Sequence, residues 1–153
     1  MKPKFIQAHM AVAEVYAKLS SATRLQVGCV IVKDDTIIGI GYNGMPSGWS
    51  NECEYEESYA RQDAPGDDYR IVNTGIYVTK PEVIHAESNA ISKVARSTNS
   101  TEGAVLFVTH APCIHCAKLI YQSGIEKVFY RQVYRTEEGI DFLRKCNIEV
   151  VQV

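Results

Sequence analysis

The sequence lacks an excess of charge of either sign, since 16 Lys and Arg residues face 18 Asp and Glu residues for a net charge of −2. A chain without a basic surplus has no overall field that would hold a nucleic-acid backbone. The sequence also lacks an apolar run close to the ~18 residues of a membrane-spanning helix. We therefore expect no nucleic-acid partner and no membrane, and at most a local basic pocket for a small anion.

Cysteines are few, and their number, 5, is odd. Two of them form a C-x-x-C pair, which favours metal-binding or catalytic thiols in a reducing compartment over a disulfide framework. The residues after Met1 lack the apolar block of a signal peptide. We expect a cytoplasmic protein whose residues 1–153 form a single domain.

Hydrophobic patterning predicts the first elements. An amphipathic helix is expected over residues 4–20, where apolar side chains recur at helical spacing at Phe5, Ala8, Val12, Val15 and Leu19. Residues 26–32 and 36–42 are rich in Val and Ile and flank a turn at Asp34-Asp35, which predicts a β-hairpin.

The middle of the chain is less regular. Residues 50–75 carry seven acidic side chains against Arg61 and Arg70. We interpret this stretch as an insertion, partly helical, that covers one edge of the domain, because loops of such length are usually functional covers or disordered.

Helices and strands are predicted to alternate from residue 82 onward. The predicted helices span 85–97, 113–123 and 136–145, the last with Thr136 as its N-cap, and the predicted strands span 104–109, 127–130 and 148–153. A hairpin followed by this alternation predicts an α/β protein, a three-layer α/β/α sandwich around a five-stranded mixed sheet.

Two short motifs at predicted helix starts carry the chemistry, His85-Ala86-Glu87 and Pro112-Cys113-Ile114-His115-Cys116. Zinc takes nitrogen and sulfur ligands in a tetrahedron, and a catalytic site keeps one position for water. His85, Cys113 and Cys116 would supply three ligands and leave the fourth position open. The free N–H groups at a helix start also favour the thiolate that zinc requires.

Glu87 lies two residues beyond His85, close enough to reach a metal-activated water without being a ligand. A carboxylate in that place can move protons from water to a ring nitrogen and a leaving amine. A lone C-x-x-C also suits a structural zinc or a redox pair, but the ordered combination is the signature of zinc deaminases.

The chain resembles the deoxycytidylate (dCMP) deaminase family of the cytidine/deoxycytidylate deaminase superfamily. The blocks that carry the resemblance are Val27-Gly28, residues 39–48 with Gly-Tyr-Asn-Gly-Met-Pro-Ser-Gly, residues 85–91 and Pro112–Lys118. The resemblance implies a cytidine-deaminase-like fold and hydrolysis of dCMP to dUMP. It also implies one catalytic Zn²⁺, held by His85, Cys113 and Cys116, with Glu87 as the proton shuttle.

The resemblance further implies which residues contact the nucleotide. Those expected near the substrate are Thr23, Arg24, Gln26, Asn43, Ala86, Pro112 and Tyr134. Arg24 suits the 5′-phosphate, because a guanidinium can grip phosphate with two hydrogen bonds.

A second nucleotide site is implied as well, where dCTP with Mg²⁺ activates and dTTP inhibits, in a homo-oligomer that is often a hexamer. The residues expected there are Gly41, Tyr42, Asn43, Gly44, Lys93 and Arg96. Some relatives hold a second, structural zinc with cysteines near positions 22 and 53. Position 22 is Ala22 here, and residues 50–75 contain no histidine, so we expect a single zinc per chain.

Two other readings of the sequence stay open. One is a deaminase of another base, such as free cytidine, guanine or tRNA adenosine, although a slightly acidic chain disfavours tRNA. The other is a nucleotide sensor that keeps zinc for structure alone and would not need Glu87.

Overall fold

Four helices and seven strands make up the computed structural model, which describes residues 1–153. The helices are α1 (Pro3–Ala17), α2 (Ala86–Ala95), α3 (Ile114–Gln122) and α4 (Glu138–Lys145). The strands are β1 (Gly28–Lys33), β2 (Thr36–Tyr42), β3 (Glu54–Arg61), β4 (Arg70–Thr79), β5 (Val105–His110), β6 (Lys127–Gln132) and β7 (Glu149–Gln152). The longest helix has 15 residues, and no helix combines the length and hydrophobicity needed to cross a membrane.

The main sheet has five strands in the order β2-β1-β5-β6-β7. β1 is antiparallel to both β2 and β5, whereas β5, β6 and β7 are mutually parallel. The β1–β2 connection is tight because Asp34 and Asp35 adopt φ values of 49° and 58°, as the favoured hairpin turns require. The predicted mixed sheet is confirmed.

Alternate residues of the strands feed two separate cores. On one face, Val30 and Phe107 pack with Met10 and Ala13 of α1. On the other face, a cluster of 18 buried residues joins the sheet to α2, α3 and α4. The central strands β1, β5 and β6 are thus buried on both faces, and the predicted three-layer α/β/α sandwich is confirmed.

The insertion differs from its prediction. Residues 54–61 and 70–79 form an antiparallel two-stranded sheet separate from the main one, so the expectation of partial helix is wrong. The acidic side chains alternate with Tyr55 and Tyr59 along a strand that is exposed on both sides. Such a strand has no buried face, so it lacks the one-sided apolar pattern that identifies strands.

The outer face of α1 is also unexpected. Phe5, Val15 and Leu19, which helped to predict the helix, are 40%, 60% and 56% exposed. The face that packs on the sheet is formed instead by Met10, Ala13 and Ala17. The helix therefore has two apolar faces, and it ends at Ala17 rather than at residue 20.

At α4, the N-cap position is occupied by Glu137 without a side-chain cap hydrogen bond, so the prediction of Thr136 is wrong. The first turn carries Glu138 and Asp141 instead, whose negative charges are favourable near the positive end of the helix dipole.

Candidate active site and metal centre

The starts of α2 and α3 bring three metal-ligating side chains together. His85 is the N-cap residue of α2, Cys113 is the N-cap residue of α3, and Cys116 lies in the first turn of α3. The ligand atoms of these residues all lie within 4.8 Å of one another. They are the one group of three or more His, Cys, Asp or Glu side chains placed to hold a metal ion.

The distances between the donor atoms fit zinc. His85 Nδ1 lies 3.6 Å from Cys113 Sγ and 3.3 Å from Cys116 Sγ. Tetrahedral zinc with its usual bond lengths would place sulfur and nitrogen ligands about 3.6 Å apart. Exposure decreases from His85 through Cys113 to the buried Cys116, so the site opens to solvent on the histidine side.

Hydrogen bonds among these side chains shift their pKa values. The pKa of Cys113 is lowered, first because Cys116 donates a hydrogen bond to it and then because His85 does. The same bond raises the pKa of Cys116, and the partnership with Cys113 raises that of His85. A thiolate is therefore favoured at the start of α3, which is the form that binds a metal.

Glu87 lies beside the metal-ligating group without belonging to it. The residue is 4% exposed in the first turn of α2, and burial raises the pKa of its carboxyl group. A pocket is lined jointly by Glu87, His85 and Cys113. A buried carboxyl group that lines a pocket beside this donor set is placed to take up and release a proton.

Three of the residues expected near a substrate, Asn43, Ala86 and Tyr134, line this pocket. Asn43 is fixed there because its Oδ1 accepts a hydrogen bond from the Val27 N–H at 2.8 Å and its Nδ2 donates to the Leu25 carbonyl at 2.8 Å. The rest of the wall is formed by Ala22, Leu25, Val27, Thr79, Val83, His110 and Ala111, of which Thr79, Val83 and Ala111 are not indicated by the sequence.

Other expected substrate residues lie outside the pocket wall. Thr23 and Gln26 belong to the loop beside it, where the Gln26 amide donates to the Ser20 carbonyl at 2.7 Å. The Pro112 carbonyl faces α4, and a Cβ added at Gly139 would overlap it.

A second cavity continues from the first and contains two arginines. Leu25, Thr79, His110 and Tyr134 line both cavities. The second adds Arg24, one of the residues expected near the substrate, together with Arg135, Gln132 and Val133. The sequence analysis did not predict Arg135. A cation directly after Tyr134, which was expected near the substrate, could have indicated a further phosphate-binding residue. Two guanidinium groups at one cavity favour an anionic ligand.

A separate cleft gathers most of the residues expected at a second nucleotide site. Tyr42, Gly44, Lys93 and Arg96 line it, and Lys93 Nζ lies 5.6 Å from the centre of the Tyr42 ring. Gly41 and Asn43 do not line this cleft. A Cβ added at Gly41 would overlap the Ala86 carbonyl oxygen, so this glycine allows α2 to approach β2.

Position 53 lies in apolar surroundings. Cys53 is fully buried in a small cluster with Ala22 and Val83, against which Met45 packs. Burial raises the pKa of this thiol, so the neutral form is favoured there. The cluster ties the base of the β3–β4 hairpin to the loop that begins at Ala22.

Comparison with known proteins gives matches over almost the whole chain. Residues 3–132 match the family model described as the cytidine and deoxycytidylate deaminase zinc-binding region. The deoxycytidylate deaminase of Enterobacteria phage T4 is 35% identical, over 94% of this chain and 87% of that protein. ComE operon protein 2 of Bacillus subtilis is 36% identical, over 96% and 70%. The crystal structure of cyanophage S-TIM5 dCMP deaminase with dCMP and dUMP matches with a TM-score of 0.84 and 40% identity, covering 100% of this chain and 99% of that one.

Proposed function

The chain belongs to the cytidine and deoxycytidylate deaminase family, and we propose that it hydrolyses dCMP to dUMP and ammonia. One observation carries this proposal. The pocket that holds Glu87 beside His85 and Cys113 continues into a cavity lined by Arg24 and Arg135. The reactive groups and an anion-binding region are thus a single continuous site, as a nucleotide substrate requires.

Zinc is the metal that this donor set fits, held by His85, Cys113 and Cys116. When bound, zinc supplies Lewis-acid activation, which lowers the pKa of water from ~15.7 toward ~7. Glu87 accepts a proton from the attacking water and delivers it to the ring nitrogen as oxygen adds to C4. The resulting carboxylate then takes the remaining proton from the new C4 hydroxyl and passes it to the amino group, so that the C4 carbonyl forms and ammonia leaves.

Asn43 and Ala86 hold the nucleoside in this scheme. Since Asn43 already bonds to the main chain of residues 25 and 27, its amide cannot rotate freely. An amide retains one further donor and one further acceptor site, which we assign to the sugar. The Ala86 main chain and the Tyr134 side chain form the walls around the base.

Arg24 and Arg135 bind the 5′-phosphate. Both line the cavity that opens beside His110 and Tyr134. Guanidinium groups bind phosphate oxygens with paired hydrogen bonds that a nucleoside cannot form. The proposal therefore predicts a preference for dCMP over deoxycytidine.

The cleft at Tyr42, Lys93 and Arg96 is the proposed effector site, where dCTP with Mg²⁺ activates and dTTP inhibits. Two cations suit a triphosphate, and Tyr42 offers an aromatic face beside them. The helix α2 joins the two sites, because His85 and Glu87 lie at its start and Lys93 and Arg96 at its end. A small movement of α2 on ligand binding would therefore reach the catalytic carboxylate.

The active unit is proposed to be a homo-oligomer, a hexamer by family resemblance, in which the exposed apolar face of α1 contacts another copy. Exposed apolar side chains at Phe5 and Val15 support this assignment. A cytoplasmic location and the absence of nucleic-acid and membrane partners stay predictions from the sequence.

Ammonia release from zinc-loaded protein tests the proposal, with dCMP and deoxycytidine compared in parallel and dCMP assayed with and without dCTP and Mg²⁺. We expect turnover of dCMP that exceeds turnover of deoxycytidine. Turnover of free cytidine, guanine or tRNA adenosine instead would identify a deaminase of another base. Binding of dCTP or dTTP without any turnover would identify a sensor.

A further inference from the structure

The base of the β3–β4 hairpin contacts the loop that carries Arg24. Glu54 and Thr79 are direct cross-strand partners at this base. Glu54 Oε1 accepts hydrogen bonds from the main-chain N–H groups of Thr23, at 3.1 Å, and of Arg24, at 3.2 Å. The Arg24 guanidinium donates from Nη1 to the Thr79 hydroxyl at 3.2 Å. One cross-strand pair therefore holds both the main chain and the side chain of Arg24.

We propose that Glu54 and Thr79 are positioning residues that fix Arg24 for the 5′-phosphate and thereby set the preference for a nucleotide over a nucleoside. This inference rests on the proposed dCMP activity and adds a specificity determinant to the same site. Neither residue touches the reacting atoms, and both act through Arg24.

Fixing an arginine in advance strengthens phosphate binding. A free arginine side chain loses much rotamer entropy when it binds, and one already held in place loses less. Thr79 lines both the base pocket and the arginine-lined cavity, so it lies at the boundary that a nucleotide would span with its base on one side and its phosphate on the other.

The role of Glu54 depends on an acceptor oxygen rather than on charge. A carboxylate near a bound phosphate repels it, so charge alone would oppose substrate binding. The two N–H bonds explain its presence, because they hold the loop main chain in place. An uncharged acceptor of the same shape should therefore do as well.

The base of the hairpin is held firmly enough for this role. A two-stranded hairpin is at best marginally stable on its own. Here the residue before Glu54, Cys53, is buried against Ala22, the residue before Thr23. The Lys80 N–H also donates to the Cys53 carbonyl at 2.8 Å. Apolar contact and hydrogen bonds thus fix the hairpin base and the Arg24 loop to each other.

The test compares full-length, zinc-loaded variants by kinetics with dCMP and by calorimetric affinity for dUMP and for deoxyuridine. Glu54→Ala is expected to raise the KM for dCMP and the Kd for dUMP about tenfold, with kcat and deoxyuridine affinity within about twofold of wild type. Glu54→Gln should restore both values. Glu57→Ala, at an exposed carboxylate of the same strand, is the matched control and should behave as wild type.

Two further variants make the test independent of any folding defect. Thr79→Val removes the acceptor at nearly constant shape and should weaken dUMP binding, whereas Thr79→Ser should retain it. Adding Glu54→Ala to Arg24→Ala should change dUMP affinity no further, because Glu54 acts through Arg24.

The inference is overturned if Glu54→Ala leaves dUMP affinity unchanged, or if it weakens dUMP and deoxyuridine equally. It is also overturned if Glu54→Gln matches Glu54→Ala rather than wild type. Failure of the proposed function has a different signature, because wild-type protein would then bind dUMP no better than deoxyuridine or would not deaminate dCMP.

Discussion

Among single residues, Glu87 is the one on which the chemistry depends most directly. Replacement by Gln keeps the size of the side chain and removes the carboxyl group that we propose to move protons. We expect Glu87→Gln to lose about 10²- to 10⁴-fold in kcat while zinc content and melting temperature stay close to wild type. Ammonia release, elemental analysis and thermal unfolding measure these three quantities.

Glu82→Gln is the matched control for that variant, since Glu82 is an exposed carboxylate three residues before His85. It should keep full activity. Near-normal turnover by Glu87→Gln would contradict the proton-transfer role and would leave a structural zinc as the better reading.

Site residues that stand close together in the sequence were easier to predict than those that the fold brings together. His85, Glu87, Cys113 and Cys116 stand in two short motifs at helix starts, so spacing alone brought them together. Arg135 reaches the site from the segment after β6, and its position beside His110 at the end of β5 depends on the parallel pairing of His110 with Gln132. Nothing in the spacing along the chain encodes that pairing.

At the scale of elements, α2 connects the catalytic pocket with the proposed effector cleft. Charge reversal at Arg96 should weaken triphosphate binding at the end of this helix and leave its start intact. We expect Arg96→Glu to reduce the response to dCTP and dTTP several-fold more than basal turnover, as rates at increasing effector concentration would show. Arg144→Glu, on the exposed part of α4, is the control. An unchanged effector response would remove Arg96 from the site.

The contact between β2 and α2 depends on Gly41. A Cβ there would overlap main-chain atoms of Ala86 and Ala90, which cannot move without displacing the helix. We expect Gly41→Ala to destabilise the fold by about 1–3 kcal/mol, measured by denaturant unfolding. Gly44→Ala is the stability control, because no atom lies within 4 Å of its added Cβ. Equal stability of the two variants would contradict the close approach.

The prediction of elements succeeded where at least one face of an element is buried. The β1–β2 hairpin and the helices around the metal centre fall at the expected places, within a few residues at their ends. The β3–β4 hairpin was not predicted, because both of its faces are exposed and only its base packs against the rest of the chain. The helix α1 was easy to predict because it has two apolar faces. For the same reason, the sequence did not indicate which of the two faces packs on the sheet.

At the scale of the whole molecule, the outer face of α1 should be covered by another copy of the chain. A charge introduced on this face would be costly in an apolar interface and harmless on a free surface. We expect Val15→Glu to lower the assembled mass toward the 17.1 kDa of one chain, as light scattering would show. Ile37→Glu, at an exposed apolar position on β2, is the control. A wild-type mass of one chain, or an unchanged mass for Val15→Glu, would contradict this interface.

Zinc should also stabilise the whole fold, because its ligands join the starts of α2 and α3 across the larger core. A metal that binds only the folded chain raises the free energy of unfolding with its concentration relative to Kd. We expect one zinc per chain by elemental analysis and a melting temperature that falls by several degrees on chelation and recovers when zinc is restored. Cys116→Ser should abolish most of the zinc-dependent stabilisation. Cys53→Ser should keep the zinc content at one ion per chain, because Cys53 lies in an apolar cluster with Ala22 and Val83. Two zinc ions per chain, or loss of zinc from Cys53→Ser, would show that position 53 binds metal after all.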